Sequence, residues 1–293
     1  MIKKNNFNLY KKIIIGTAQF SKNYGVVKKK NQNPLKFINL IKKYKLNIFD
    51  TSVNYKGSIN LIENNTKDSN LIIKLSTRNH SGIIPILKFK KQVKLISKKI
   101  NKNKIYSFMI HDFSLSYRRK ISNHINFLSE YCKENKIRFG FSIYKLSEFN
   151  YIKKYNFNIL QVPINVFNRD FLNYKFTRYV KFKRIEVHAR SIFLQGLLVN
   201  DLKLFPEKFL KFKDIFYSWK KMCLKNEISR IDACINFILN LNYVSKLVIG
   251  FKGSEELKEL SKIKKNKFNF YNNKIFKKIP QNLKNPNLWQ KIN

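Results

Sequence analysis

Asn47-Ile48-Phe49-Asp50-Thr51-Ser52-Val53-Asn54-Tyr55-Lys56-Gly57-Ser58 is the stretch on which the reading of this chain turns. Ile48 and Phe49 favour extended backbone and follow the polar Lys45 and Asn47, so the segment opens as a buried strand. The strand is expected to stop on a carboxylate, Asp50, with Tyr55 and Gly57 in the loop beyond. A carboxylate at a strand end, followed by a loop tyrosine, is where an α/β enzyme places chemistry. Alone, such an Asp is more commonly a turn former or helix cap. What the neighbouring segments supply decides between the two.

On both sides the pattern alternates between strand and helix. Strands are expected at 12–16 (KIIIG), 46–50, 71–76 (LIIKLS), 106–111 (YSFMIH), 138–144 (RFGFSIY), 159–166 (ILQVPINV), 184–191 (RIEVHARS) and 247–251 (LVIGF). Pro34 opens a helix with Leu35, Ile38, Ile41 and Leu46 on one face, and Pro85 opens another with Leu87, Val93, Ile96 and Ile100. Further helices are expected at 120–135, 147–155, 171–180, 227–241 and 254–263, the last with Ser254 as N-cap, and a helical insertion at 206–225. The tail, 264–293, reads as irregular.

Strands alternating with helices imply a parallel sheet. Eight such units in about 260 residues fit a closed (β/α)8 TIM barrel. An open doubly wound sheet would want a glycine-rich phosphate loop after its first strand, and GTAQFSKNYG at 16–25 lacks it. No repeat or linker divides the chain, so 1–293 is read as a single domain with its core at about 13–262.

Composition narrows the function. The chain has 60 Lys+Arg against 17 Asp+Glu, a net charge of +43. The excess is mostly Lys, is dispersed, and travels with heavy use of Asn, Ile, Phe and Tyr, as a bias toward A/T-rich codons would produce. Arginine, the residue for planar phosphate recognition, is scarce. No specific nucleic-acid partner is expected, only weak polyanion adhesion at low salt. No apolar run is long enough to span a bilayer, so no membrane association and a cytoplasmic location are expected. Cys132, Cys223 and Cys234 lack metal-ligand or disulfide-framework spacing.

In a barrel, Asp50, Tyr55, Lys74 and His111 come from three neighbouring strands and their loops, and converge on the barrel mouth. Lys74 is the most telling, because a lysine inside an apolar strand is costly unless paired, and a closed barrel offers no edge for it. Asp50 on the adjacent strand is its natural partner. A phenol ionises near ~10, too high for easy proton donation at neutral pH, and a neighbouring ammonium stabilises the phenolate. Tyr55 is then a general acid for a carbonyl oxygen, with Asp50 orienting Lys74 and His111 positioning the carbonyl. Hydride must come from a cofactor, because no side chain supplies it. Phe113, Phe167, Phe193 and Trp289 are candidates to line an apolar substrate pocket, with ordinary loop packing as the alternative.

These residues bring a resemblance with them. DTSVNYKGS (50–58), IIKLS (72–76) and SFMIHD (107–112) resemble the corresponding segments of the aldo/keto reductase family. IIIGTAQFSKNYGVV (13–27), GFSIY (140–144), LQVPINVF (160–167), VHARSIFLQGLL (187–198) and NPNLW (285–289) are similar to a branch of short reductases, some linked to surface or spore-coat polysaccharide synthesis. The resemblance implies an enzyme that uses NADPH, with NADH as the alternative, to reduce a small aldehyde or ketone. Asp50, Tyr55, Lys74 and His111 match that family's catalytic tetrad. Ser142 and Gln161 match positions that contact the nicotinamide carboxamide, and Arg190 stands where many members stack an aromatic ring. Gly250, Lys252 and Ser254 match the segment that holds the cofactor phosphates. Departures are Lys56 after the tyrosine, Ile59 after Ser58, Ile143 beside Ser142, and ELKEL (256–260) in place of an Arg-x-x-Asn signature. The NADP preference therefore rests mainly on Lys252. A catalytically idle nucleotide-binding barrel is the competing reading, and the oligomeric state is left open.

Overall fold

The barrel follows from short apolar runs that have no polar face to show to water. The computed structural model describes residues 7–21, 26, 33–111, 113–251, 253–263, 276 and 279–292. Eight parallel strands close on themselves in sequential order. They are β1 (Ile13–Gly16), β2 (Ile48–Ser52), β3 (Asn70–Leu75), β4 (Ile105–Ile110), β5 (Arg138–Ser142), β6 (Ile159–Pro163), β7 (Glu186–Arg190) and β8 (Val244–Gly250). Closure is the β1–β8 pairing, Ile13 with Leu247 through Gly16 with Gly250. Both faces of most strands are buried, one inside the barrel and one against helices, which is why they read as continuous Ile/Leu/Phe rather than alternating.

Helices cover the outside: α1 (Pro34–Lys43), α2 (Ser58–Asn65), α3 (Ile86–Lys99), α4 (Ser122–Glu134), α5 (Leu146–Ile152), α6 (Tyr174–Phe182), α7 (Lys213–Lys225), α8 (Arg230–Leu239) and α9 (Ser254–Ser261). Pro34 sits in the first turn of α1, and the Asn33 side chain accepts from the Leu35 N–H at 2.9 Å. The helical phase differs slightly from the sequence expectation. Leu35 is 42% and Leu87 76% exposed, while Phe37 and Phe89 take the core positions. Ser254 is not an N-cap: α9 begins at Ser254, and Gly253 precedes it without a side-chain cap bond. Helix α2 was not expected, because SINLIENN is short and Asn-rich. Gly57, at φ 77°, lets the chain turn into it. The end of the tail is ordered against the barrel as a helix (Gln281–Lys284) and a 3-10 turn (Pro286–Lys291). Trp289 Nε1 donates to the Leu283 carbonyl at 3.1 Å.

Inside the barrel, Ile14, Ile72, Met109 and Ile159 form a fully buried layer with Ile48, Tyr106 and Val248 packed against it. Gly140 is required where β5 meets β6, since a Cβ there would lie 2.5 Å from the Ile159 carbonyl oxygen. At the N-terminal end of the strands, Glu186 collects Tyr106 Oη (2.6 Å), His188 Nε2 (2.8 Å) and the Arg138 guanidinium. Burial alone raises the Glu186 carboxyl. Hydrogen bonding and charge from His188, then Tyr106 and Arg138, outweigh it and hold the group at about 2. Among the described residues no helix is long and apolar enough to cross a membrane.

A carboxyl held below its ordinary value stabilises the fold above that ordinary value and loses this contribution as pH falls toward the folded value. Glu186→Gln is therefore expected to lower the melting temperature at pH 7 by roughly 2–6 °C, from charged hydrogen bonds worth ~1.5–3 kcal/mol. The gap to wild type should close between pH 4.5 and about 2. Circular-dichroism melts at stepped pH measure both, and a gap unchanged down to pH 2.5 would contradict the assignment.

Candidate functional site

Strand β2 runs on to Ser52, so Asp50 lies two residues inside the strand rather than at its end. Alternation then puts Asp50 and Ser52 on the same, inward face. Lys74 on β3 is in register with Ser52. Its ammonium reaches Asp50 Oδ2 at 2.7 Å, with both side chains about 95% out of water: 5% and 4% exposed. The other carboxylate oxygen, Oδ1, accepts from Gln161 Nε2 at 3.0 Å, from β6 on the far side of the barrel. One carboxylate thus links three strands. Burial by itself disfavours the Lys74 charge, but Asp50 first and Tyr55 next outweigh it and hold the ammonium above the ordinary lysine value.

Tyr55 is placed by a tight turn, with its N–H on the Ser52 carbonyl (2.9 Å) and its carbonyl taking the Ser58 N–H (3.0 Å). Its ring centroid is 5.6 Å from Lys74 Nζ and 6.2 Å from the His111 ring, edge-on at 88°. His111 follows β4 directly, anchored by its N–H to the Leu75 carbonyl. Its Nδ1 lies 3.1 Å from Ser52 Oγ. Burial first, then the charges of Lys74 and Arg190, push His111 well below the usual imidazole value, so the ring is neutral at physiological pH. The Ser52 hydroxyl also reaches the Lys74 carbonyl, to which it donates at 3.2 Å; only when that one O–H turns to Nδ1 does the ring carry its proton on Nε2 and present an N–H to the cleft. Ser52 was missed by the sequence reading, although its place two residues beyond Asp50 on a strand was a usable signal.

Gln161 and Ser142 are side by side in the β5–β6 register and both buried. Gln161 Oε1 has no hydrogen-bond partner among the described residues. Arg190, at the end of β7, donates from Nη2 to the Ile143 carbonyl (3.0 Å), and its guanidinium lies 3.9 Å from the Tyr144 ring centroid. Gly250 faces Gly16, and a Cβ on Gly250 would meet the Gln19 side chain at 2.4 Å.

A cavity of about 280 Å3 joins these parts. It is lined by Asp50, Tyr55, Lys74 and His111, and by Ser142, Gln161, Arg190 and Gly250. Ser254 is absent from the described lining, and Lys252 lies outside the described residues. Of the four aromatic candidates only Phe193 lines the cavity. Phe113 packs on Phe141 and Tyr151, Phe167 on Phe216 and Trp219, and Trp289 on Phe209. Large rings in these loops close the core, which removes more apolar surface from water than a cleft wall would. Among the described residues no cluster of three metal-ligating side chains occurs.

The fold has counterparts among solved structures. The fold is similar to aldo-keto reductase AKR11C1 from Bacillus halodurans in its holo form, with TM-score 0.69, 14% identity, and 92% of each chain covered. It is also similar to the glycerol dehydrogenase AKR11B4 from Gluconobacter oxydans, with TM-score 0.59, 15% identity, and 88% of this chain and 94% of that one covered. A third is the thermostable aldo-keto reductase Tm1743 in complex with epalrestat, with TM-score 0.62, 15% identity, and 88% and 90% covered. No curated protein sequence matches the chain. The sequence model of the aldo/keto reductase family matches residues 12–280. With that match spanning the whole barrel, the chain belongs to the aldo/keto reductase family of oxidoreductases acting on carbonyl compounds.

Proposed function

We propose that the protein reduces an aldehyde or ketone to an alcohol with a nicotinamide nucleotide, NADH or NADPH, as hydride source. The observation that carries this reading is the buried Lys74–Asp50 pair at 2.7 Å with the Tyr55 ring 5.6 Å from the ammonium. A catalytically idle barrel has no need of a desolvated charge pair beneath a tyrosine, since an apolar pair of similar size is commonly as stable or more so.

The residues fit the cofactor. Gln161 Oε1 is a buried acceptor without a partner among the described residues, suited to a carboxamide N–H, and Ser142 lies beside it. Arg190, its guanidinium 3.9 Å from the Tyr144 ring centroid, offers a planar group for the ring. Gly16 and Gly250, paired on the cavity wall beside Gln19, would meet the phosphates, with Lys252 as a candidate cation. When bound, the nucleotide would supply hydride for a carbonyl carbon. His111 Nε2–H hydrogen-bonds the carbonyl oxygen and fixes its direction. Tyr55 donates its hydroxyl proton to that oxygen as negative charge develops there. The phenolate left behind is stabilised by the Lys74 ammonium, which Asp50 and Gln161 hold in place.

Tyr55→Phe is expected to lower kcat by about 10²–10⁴-fold. Nucleotide binding, followed by quenching of intrinsic tryptophan fluorescence, should stay within threefold of wild type. Retention of more than a tenth of the activity on the best of a panel of carbonyls would remove Tyr55 from the role.

Lys74→Met leaves Asp50 buried and uncompensated, so a loss of ~3–5 kcal/mol in urea denaturation is expected. Adding Asp50→Asn should restore most of the stability while activity stays lost. Activity in the double variant would separate the pair from the chemistry.

Because His111 stays neutral, kcat should show no acidic limb at the ordinary imidazole value of 6.5. A profile from pH 5.5 to 8 tests this, and a limb there that disappears in His111→Gln would contradict it.

A further inference from the structure

One charge at the barrel mouth has no counter-charge. Lys74 and Arg190 are the cations among the described residues that line the cavity. Lys74 is neutralised by Asp50 at 2.7 Å, and the second oxygen of that carboxylate is taken by Gln161. Arg190 differs: among the described residues no carboxylate forms an ion pair with it. Its Nη2 donates to the Ile143 carbonyl, a dipole rather than a charge, and its guanidinium carbon lies 3.9 Å from the Tyr144 ring centroid. The Nε–H is buried and has no partner among the described residues. Glu186, on the same strand, is out of reach. It stands at the other end of β7, about 13 Å away at ~3.3 Å per residue. It is also occupied by Arg138, Tyr106 and His188.

The guanidinium is close to the reacting groups, since its charge helps to push the His111 imidazole down and acts against Lys74 as well. Stacking engages the faces of a guanidinium and leaves its N–H rim to meet an anion in the plane. Arginine keeps its charge at any pH the fold survives. At a half-buried position an unpaired charge costs free energy, which an anionic ligand restores. A neutral carbonyl compound would leave that cost in place throughout the reaction. A compound carrying a carboxylate removes it on binding, through charge-assisted hydrogen bonds about twice as strong as neutral ones. A single negative charge also matches a single guanidinium. A phosphate dianion would bring a second charge for which the described lining holds no free cation, Lys74 being neutralised already.

We propose that the substrate is an oxo acid, an aldehyde or ketone that carries a carboxylate, and that Arg190 is the residue that recognises it. The proposal rests on the reading above that the chain reduces a carbonyl with a nicotinamide nucleotide, and it adds the class of compound reduced. The carboxylate meets the N–H rim of Arg190 while the carbonyl oxygen is directed at Tyr55 and His111. Holding the unreactive end in this way orients the reactive one. The carboxylate takes no part in bond making and leaves as it entered.

Pyruvate, acetoacetate and levulinate set the carboxylate at increasing distance from the carbonyl, and the methyl ester of each removes the charge while keeping the chain. With saturating NADPH, and again with NADH, the wild type should favour at least one acid over its ester by about tenfold or more in kcat/KM, a difference of ~1.4 kcal/mol. Raising the salt to about 0.5 M should shrink that ratio. Arg190→Met should bring the ratio within about threefold of one, chiefly through KM, and Arg190→Lys should keep part of the preference. Should Arg190→Met melt early, Arg190→Gln decides by the same ratio. Esters reduced as well as acids by the wild type overturn the assignment, and an Arg190 already neutralised by Asp112, which lies outside the described residues, would give that result. An unchanged ratio in Arg190→Met overturns it too, and if nucleotide binding by tryptophan quenching is lost at the same time, the guanidinium serves the cofactor instead. A preference for acetol phosphate over every acid would make the anion a phosphate and overturn the carboxylate class. If nucleotide binds and no acid is reduced, the oxo-acid class fails and the cofactor reading stands. If neither nucleotide binds, the reductase reading itself fails.

Discussion

Everything at the mouth of this barrel depends on one desolvated contact, the Asp50 carboxylate on the Lys74 ammonium. Neither charge would be tolerable there alone, because removing one partner from a buried pair costs ~3–5 kcal/mol. Together they impose order on their surroundings. Asp50 needs a second donor for its free oxygen and takes it from Gln161, across the barrel. Lys74 adds to the burial that keeps His111 neutral, and Ser52 Oγ lies 3.1 Å from the His111 Nδ1. The proton chemistry and the proposed cofactor pocket therefore share a support, for Gln161 holds the carboxylate through its amide nitrogen and also lines the cavity.

Much of this was legible in the sequence, for identifiable reasons. The strands were readable because β-branched and aromatic runs of four to eight residues have few other solutions. Lys74 was readable because a cation within Leu71-Ile72-Ile73 has no cheap explanation, and the expected partner, Asp50, is the one observed. Helix α2 was not readable, because SINLIENN has weak helical propensity and forms only with α1 and β2 to pack against. The role of Ser52 was hidden by reading β2 as ending two residues early. The aromatic loop residues were the least legible. Phe113, Phe167 and Trp289 have the composition of a pocket lining, and only the tertiary arrangement shows them filling the core instead.

The large positive charge is best understood against what it leaves alone. Lysine is spread over the outer helix faces, where long aliphatic stems and solvated heads cost little. At the Glu186 cluster and along α9 the chain keeps carboxylates in spite of that drift. In a protein with so few acidic residues, the location of each one carries more information than the net charge does.

The layer of Ile14, Ile72, Met109 and Ile159, backed by the Glu186 cluster, makes the barrel a blind well. Nothing passes through from the far end, so every visitor enters and leaves by a single opening. A well of this kind empties in the reverse of the order in which it fills.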